Sequence, residues 1–110
     1  MINVKPLNPV NVVGDPDTSI AYFTDVEWWS LIELVRQYGF EPPDLYSYND
    51  SVELDAEASQ GLWAASSAVH NNDAVASNAI LKSRVEKLMR CAQIGAERGG
   101  IEIRREHEFS

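Results

Sequence analysis

Residues 24–43 carry the start signal, the apolar stripe and the stop signal of one helix. Thr24 and Glu27 have the spacing of a capping box, in which the hydroxyl accepts a backbone N–H and the carboxylate reaches back to the cap. Gly39 suits the left-handed residue that ends a helix, and Pro42 and Pro43 prevent a restart. One apolar stripe lies between these signals: Trp28, Leu31, Ile32, Val35 and Tyr38. The stretch therefore predicts an amphipathic helix that must bury one face against other elements.

A second helix is predicted at about residues 53–70, with small side chains on its buried face. Its stripe consists of Ala58, Leu62, Ala65 and Val69. The helix could begin at either of two N-caps. Asp50 could cap it, with Glu53 as the second residue of a capping box, or Asp55 could cap it instead. Gly61 costs about 1 kcal/mol against alanine inside a helix, which indicates close packing of a neighbouring helix at that point.

A third helix is predicted from about residue 74 to residue 98, and it ends at Gly99 and Gly100. Its buried line consists of Leu81, Val85, Leu88 and Ala92. "IEIR" at 101–104 alternates apolar and polar residues, which predicts a short strand before a frayed tail. Residues 1–23 are predicted to be extended, with a turn at "GDPD" (14–17) and a short strand at "SIAYF" (19–23).

These elements predict one mainly α (α+β) domain spanning residues 1–110. A three-helix core at 24–100 is preceded by an extended segment or strand at 1–23 and followed by a short strand and tail at 101–110. A chain of 110 residues has the usual length of one domain and can bury a single core without disulfides. We expect Trp28, Leu62 and Leu88 to meet in that core.

The segment "YGFEPPDLYSYND" at 38–50 is longer than most connections between packed helices, so we expect it to pack on the domain. The favoured interpretation is that its aromatic side chains cover the gap between the first two helices. The alternative is a recognition surface, in which Tyr46 and Tyr48 lie beside Asp44 and Asp50 and offer a polar and aromatic contact patch.

The order of several landmarks resembles a known pattern. Trp28–x–x–Leu31 is followed by Tyr38–Gly39–Phe40–x–Pro42, by Tyr48–Asn49–Asp50–x–Val52, by an alanine-rich helix and by Gly99–Gly100–Ile101. This order is similar to that of a family of small uncharacterised bacterial domains, over about residues 28–103. The chain departs from the pattern at Phe40, where the family usually has tryptophan, and in the spacing after Val52. The resemblance implies a compact α-rich domain and no activity.

Charge and cysteine content narrow the classes of function. The net charge is −8, and residues 1–79 hold 12 acidic residues against Lys5 and Arg36. An acidic surface repels phosphate, so nucleic-acid binding and binding to anionic membranes are disfavoured. Cys91 is the only cysteine, the N-terminus has no secretory pattern, and the apolar runs are far shorter than a membrane span. We therefore expect a cytoplasmic protein.

No motif predicts a catalytic, cofactor-binding or metal-binding site, so the chain is not expected to be an enzyme. Glu102, Glu106, His107 and Glu108 form a charge run in the tail, which is interpreted as fortuitous rather than as a metal site. Cys91 is interpreted as a half-buried structural thiol, because reactive thiols need exposure and a lowered pKa.

Trp63 is the best single candidate for a binding residue. It lies about 100° around the second helix from Leu62, and Ser67 and His70 share its side of that helix. A large aromatic side chain among serines is typical of a partly buried wall or of a contact hot spot. The leading hypothesis is a non-enzymatic protein-interaction module with an accessory, inhibitory or immunity-type role in a bacterium or phage.

One special case of this hypothesis and two alternatives to it stay open. The small-residue face of the second helix could form a homodimer. Asp44, Asp50, Asp55 and Glu57 could mimic a nucleic acid and occupy an enzyme that binds one. A cofactor-free enzyme could use His70 with a nearby carboxylate.

Overall fold

The computed structural model describes residues 1–8, 20–42 and 50–106. Its elements confirm the predicted mainly α (α+β) class, with three long helices, one short helix and a four-stranded sheet. They are β1 (Ile2–Pro6), β2 (Ala21–Phe23), α1 (Asp25–Gln37), β3 (Ser51–Leu54), α2 (Ala56–His70), α3 (Asp73–Ala76), α4 (Ala79–Arg98) and β4 (Ile101–Arg105). Within the described ranges, no helix has the length and apolarity that a bilayer crossing requires.

The sheet is antiparallel throughout, with the strand order β2-β1-β4-β3. Side chains alternate between its two faces, as the pleat requires. Val4 is paired with Ala21 on one side and with Ile103 on the other, and Val52 is paired with Ile103 from the far strand. Val4, Ala21 and Ile103 are buried, whereas Lys5 and Tyr22 point to the opposite, exposed face. The helices therefore cover one face of the sheet.

The first helix begins and ends where the sequence predicts. The Thr24 hydroxyl accepts the Glu27 N–H at 3.2 Å, and the Glu27 carboxylate accepts the Thr24 N–H at 2.9 Å. Gly39 follows the helix with a φ of +90°, in the left-handed region. The buried residues are those of the predicted stripe except for Tyr38, which is 45% exposed because it lies at the fraying end of the helix.

The second helix begins at Ala56, so Asp55 is its cap and Asp50 is not. The Asp55 carboxylate accepts the Ala58 N–H at 2.8 Å. Residues 53 and 54, predicted to be helical, belong instead to β3, which pairs with β4 from Ser51 to Leu54. The prediction was wrong because four residues of alternating polarity also fit the start of a helix, and only the distant β4 decides between the two structures.

The predicted helix at 74–98 is in fact two helices. The Asn72 side chain caps α3 by accepting the Ala74 N–H at 2.9 Å, and the Asn78 side chain caps α4 by accepting the Leu81 N–H at 3.2 Å. Each asparagine side chain accepts a backbone N–H of the first turn that follows it, so a new helix begins at each of the two positions. Gly99 ends α4 with a φ of +103°, as predicted. The predicted strand after it is confirmed as β4, while the predicted turn at 14–17 lies outside the described residues.

Trp28, Leu62 and Leu88 belong to one buried cluster, which confirms the predicted core. They also line a small apolar cavity of about 10 Å³ between the helices and the sheet, close to the least space that one water molecule needs.

The expectation about Gly61 was wrong. Gly61 is exposed, and a Cβ there would lie 3.6 Å from the Phe40 ring, which is an ordinary van der Waals distance. The close approach is at Gly95 on α4, where a Cβ would lie 2.4 Å from Cγ2 of Ile101. A glycine in the last turn of α4 thus allows the chain to turn tightly from α4 into β4.

Candidate interaction surface

Helices α2 and α4 form an antiparallel pair, and Trp63 lies at the outer edge of their contact. The short connection through α3 turns the chain back, so that the first half of α2 lies beside the last turns of α4. Trp63 is half-buried and packs partly against the core, and its remaining surface forms one wall of an open groove. The groove has a volume of about 180 Å³ and is lined by Gln60, Trp63, Gln93, Ala96 and Glu97. We call it the Trp63 groove.

Ser67 and His70 lie beyond the groove, one and two turns further along α2. The Ser67 hydroxyl donates to the Trp63 carbonyl oxygen at 2.8 Å, within its own helix. His70 Nε2 lies 3.0 Å from Glu86 Oε1 on α4, and the Glu86 side chain is 55% exposed. The three predicted residues thus share one side of α2, but only Trp63 lines the groove.

The predicted patch in the connection between the first two helices is only partly described. Asp44, Tyr46 and Tyr48 lie outside the described residues. Asp50 is half-buried, and its carbonyl oxygen accepts the Arg105 N–H at 2.9 Å, so its backbone extends the β3–β4 pairing. Phe40 packs against the core and contacts α2 at Gly61, while Pro42 lines the core cavity. The described part of the connection therefore covers the gap between α1 and α2.

The single thiol is deeper than predicted. Cys91 is fully buried rather than half-buried, and burial raises the pKa of its thiol from 9.0 to about 12. Thiolate is the reactive form of cysteine, so this group is chemically inert in the folded protein.

This shift predicts slow thiol labelling and a loss of stability in alkali. At pH 8 we expect Ellman's reagent to leave Cys91 unmodified in buffer and to react fully in urea. The unfolded chain loses the thiol proton near pH 9.0, whereas the folded protein retains it until about pH 12. The free energy of unfolding should therefore fall as the pH rises between these values, and it should fall less in Cys91→Ala. Rapid labelling in buffer would contradict the burial of Cys91.

The described residues contain no group of three or more His, Cys, Asp or Glu side chains that could hold a metal ion. Two members of the predicted charge run, Glu102 and Glu106, are described. Oε1 of Glu102 lies 3.6 Å from Nζ of Lys5 on the exposed face of the sheet. Oε1 of Glu106 lies 3.7 Å from Nε of Arg104. His107 and Glu108 lie outside the described residues.

Four residues around Trp63 and His70 were missed in the sequence: Gln60, Glu86, Gln93 and Glu97. The available signal was the short connection at 71–78, which forces the flanking helices to run antiparallel. Pairing the helices in that register brings residues near 93 beside Trp63 and residues near 86 beside His70. The break of the predicted third helix at Ser77 and Asn78 obscured this register.

Comparison of this chain with protein-family models, with curated proteins and with solved structures gives no match. No family model therefore supports the resemblance at residues 28–103.

Proposed function

We propose that this protein is a non-enzymatic interaction module that binds another protein through the Trp63 groove. The observation that carries the proposal is a half-buried indole beside a groove of about 180 Å³ on a well-packed helix pair. Tryptophan is enriched at the energetic centres of protein interfaces because it contributes a large and rigid contact area. Pockets for free small molecules usually measure about 300–1,000 Å³, so this groove suits one side chain of a partner better than a whole ligand.

The other roles have less support from the described contacts. Of the acids required for a nucleic-acid mimic, Asp55 is engaged as the α2 cap, and the Asp50 backbone extends the sheet. His70 and Glu86 have the separation of a general acid–base pair, but the pair is solvated and the nearby Ser67 hydroxyl donates to a backbone carbonyl. We assign the His70–Glu86 pair to the contact between the two helices.

Homodimerisation through the small-residue face of α2 is also disfavoured. Leu62, Ala65 and Val69 on that face are buried, and α2 packs extensively on α4 of the same chain. A second copy would have to bind elsewhere.

Site-specific photocrosslinking in the native host tests the proposal. A benzoylphenylalanine placed at Gln93, in the groove, should yield a heavier covalent adduct on a gel, and Trp63→Ala in the same chain should abolish it. Trp29→Ala is the matched control, because Trp29 is 40% exposed on α1 and its loss should leave the adduct unchanged. The same probe at Glu33, on the outer side of α1, should yield no adduct.

Equal adducts from positions 93 and 33, or an adduct at 93 that survives Trp63→Ala, would contradict the proposal. Both variants should keep the helical circular dichroism spectrum, because neither tryptophan is fully buried.

A further inference from the structure

We propose that the partner inserts an arginine side chain of a basic segment into the Trp63 groove. This inference rests on the proposed function and specifies the chemistry that the groove recognises. The negative charge of the lining favours a cation, the Trp63 indole favours a planar group, and the side-chain oxygens favour several hydrogen-bond donors.

The charge of the groove favours a cation. Glu97 contributes a carboxylate to the lining, and it forms no ion pair within residues 1–8, 20–42 and 50–106. The same end of the helix pair carries Asp55 and Glu57 at the start of α2, against Arg98 at the end of α4. With a net charge of −8 over the whole chain, the long-range field also attracts a basic partner.

The position of Glu97 on its helix adds a second argument. Glu97 is the penultimate residue of α4, where the unpaired backbone carbonyls carry partial negative charge. A carboxylate is unfavourable at that end of a helix, and a bound cation relieves the repulsion. Residues that break a local helix rule are found at functional or strained sites.

The shape and polarity of the lining favour arginine among the cations. A guanidinium group is planar and can stack on the indole of Trp63, and its five N–H donors exceed what one carboxylate can accept. The side-chain carbonyl oxygens of Gln60 and Gln93 supply further acceptors in the same lining. Lysine offers a compact charge without the plane, so it should bind more weakly.

A second groove on α4 shows that this chemistry is local. It has a volume of about 350 Å³ and is lined by Ala79, Ile80, Ser83, Arg84 and Lys87. Arg84 is paired with Glu27 there, which leaves the charge of Lys87 to repel a basic segment. Of these two grooves, the arginine preference therefore applies to the Trp63 groove.

Titration of isotope-labelled protein by nuclear magnetic resonance tests the inference. The probes are a short glycine–serine peptide with one central arginine, and the same peptide with citrulline, an uncharged isostere, in that place. We expect saturable shifts at the Trp63 indole N–H and the Gln93 side-chain amide with arginine, and affinity weaker by about tenfold or more with citrulline.

Two charge-matched variants separate a specific site from general attraction. Glu97→Gln should weaken arginine binding by about tenfold, while Glu33→Gln, which removes one charge from α1, should leave it unchanged. Glu97→Gln should melt no lower than the parent, so weaker binding could not be attributed to unfolding. Equal effects of the two variants, or equal binding of citrulline and arginine, would overturn the inference.

The outcomes also distinguish the inference from the proposed function. A crosslink from Gln93 that depends on Trp63, together with an arginine peptide that fails to bind, would overturn the arginine inference and leave the interaction role standing. Broadening of the Trp63 signal as protein concentration alone rises would identify a second copy as the occupant and overturn the inference of a basic partner. Loss of both the crosslink and peptide binding would overturn both.

Discussion

Replacing Gly100 by alanine is expected to lower the free energy of unfolding by about 2–5 kcal/mol, because backbone strain and a steric clash act together. Gly100 joins α4 to β4 with a φ of +129°, which side chains rarely allow. An added Cβ would lie 2.2 Å from the carbonyl oxygen of Leu54, on the neighbouring strand β3. Because the added Cβ would clash with a backbone atom and not with a movable side chain, β3 would have to separate from β4.

The matched control is Gly39→Ala. Gly39 also has a positive φ, +90°, but an added Cβ would meet no atom of the described residues within 4 Å. Its replacement should cost only the backbone strain, about 1–2 kcal/mol. Urea denaturation followed by circular dichroism measures both losses. Equal losses would show that strain alone, and not the contact with β3, makes glycine necessary at position 100.

Replacing Trp28 by alanine should lower the free energy of unfolding by about 3–5 kcal/mol, the usual range for truncating a buried aromatic side chain. Trp28 is 2% exposed, and its ring centroid lies 5.6 Å from that of Phe23, at an interplanar angle of 57°. Truncation would therefore enlarge the core cavity and remove an aromatic contact. Small domains are stable by about 5–15 kcal/mol, so a large part of the stability would be lost.

The adjacent residue is the control for this prediction. Trp29→Ala should change stability by only about 0.5 kcal/mol, because Trp29 is 40% exposed. Circular dichroism is the appropriate signal, since each variant removes a fluorophore. Trp28→Phe should cost less than Trp28→Ala, because it retains most of the aromatic bulk and removes an indole N–H that has no hydrogen-bond partner in the described part of the chain. Similar losses for Trp28→Ala and Trp29→Ala would contradict the assigned core.

Local signals in the sequence predicted the three long helices, although they missed the break between α3 and α4. The capping box at Thr24 and Glu27, the stripe of α1 and the glycine stops are interactions within a few residues, and the structure confirms them. The shared cluster of Trp28, Leu62 and Leu88 followed from the same periodicity. The three long helices and their packing around one core were therefore predictable from one sequence.

The sheet was less predictable because its pairing is non-local. β3 is four residues long, and its partner β4 lies almost 50 residues further along the chain. β1 was predicted only as an extended segment, yet it lies inside the sheet between β2 and β4. Pro6 lies at the last position of β1, where proline is tolerated.

The candidate site was predicted in part. Trp63 stood out as a large aromatic residue on a side of α2 rich in serine, and it does line a groove. Gln93 and Glu97 did not stand out, because their position beside Trp63 becomes apparent only when the register of α2 against α4 is known. The interaction role of Trp63 stays a prediction until the crosslinking experiment is done.

The position of β4 has a consequence for how the protein is made. β4 lies between β1 and β3, so two strands synthesised much earlier have no common neighbour until residues 101–105 are available. While a ribosome still holds those residues, the nascent chain can form helices but cannot close its sheet. The apolar side chains of β1 and β3 then lack their shared neighbour, and remain accessible, until translation has passed β4.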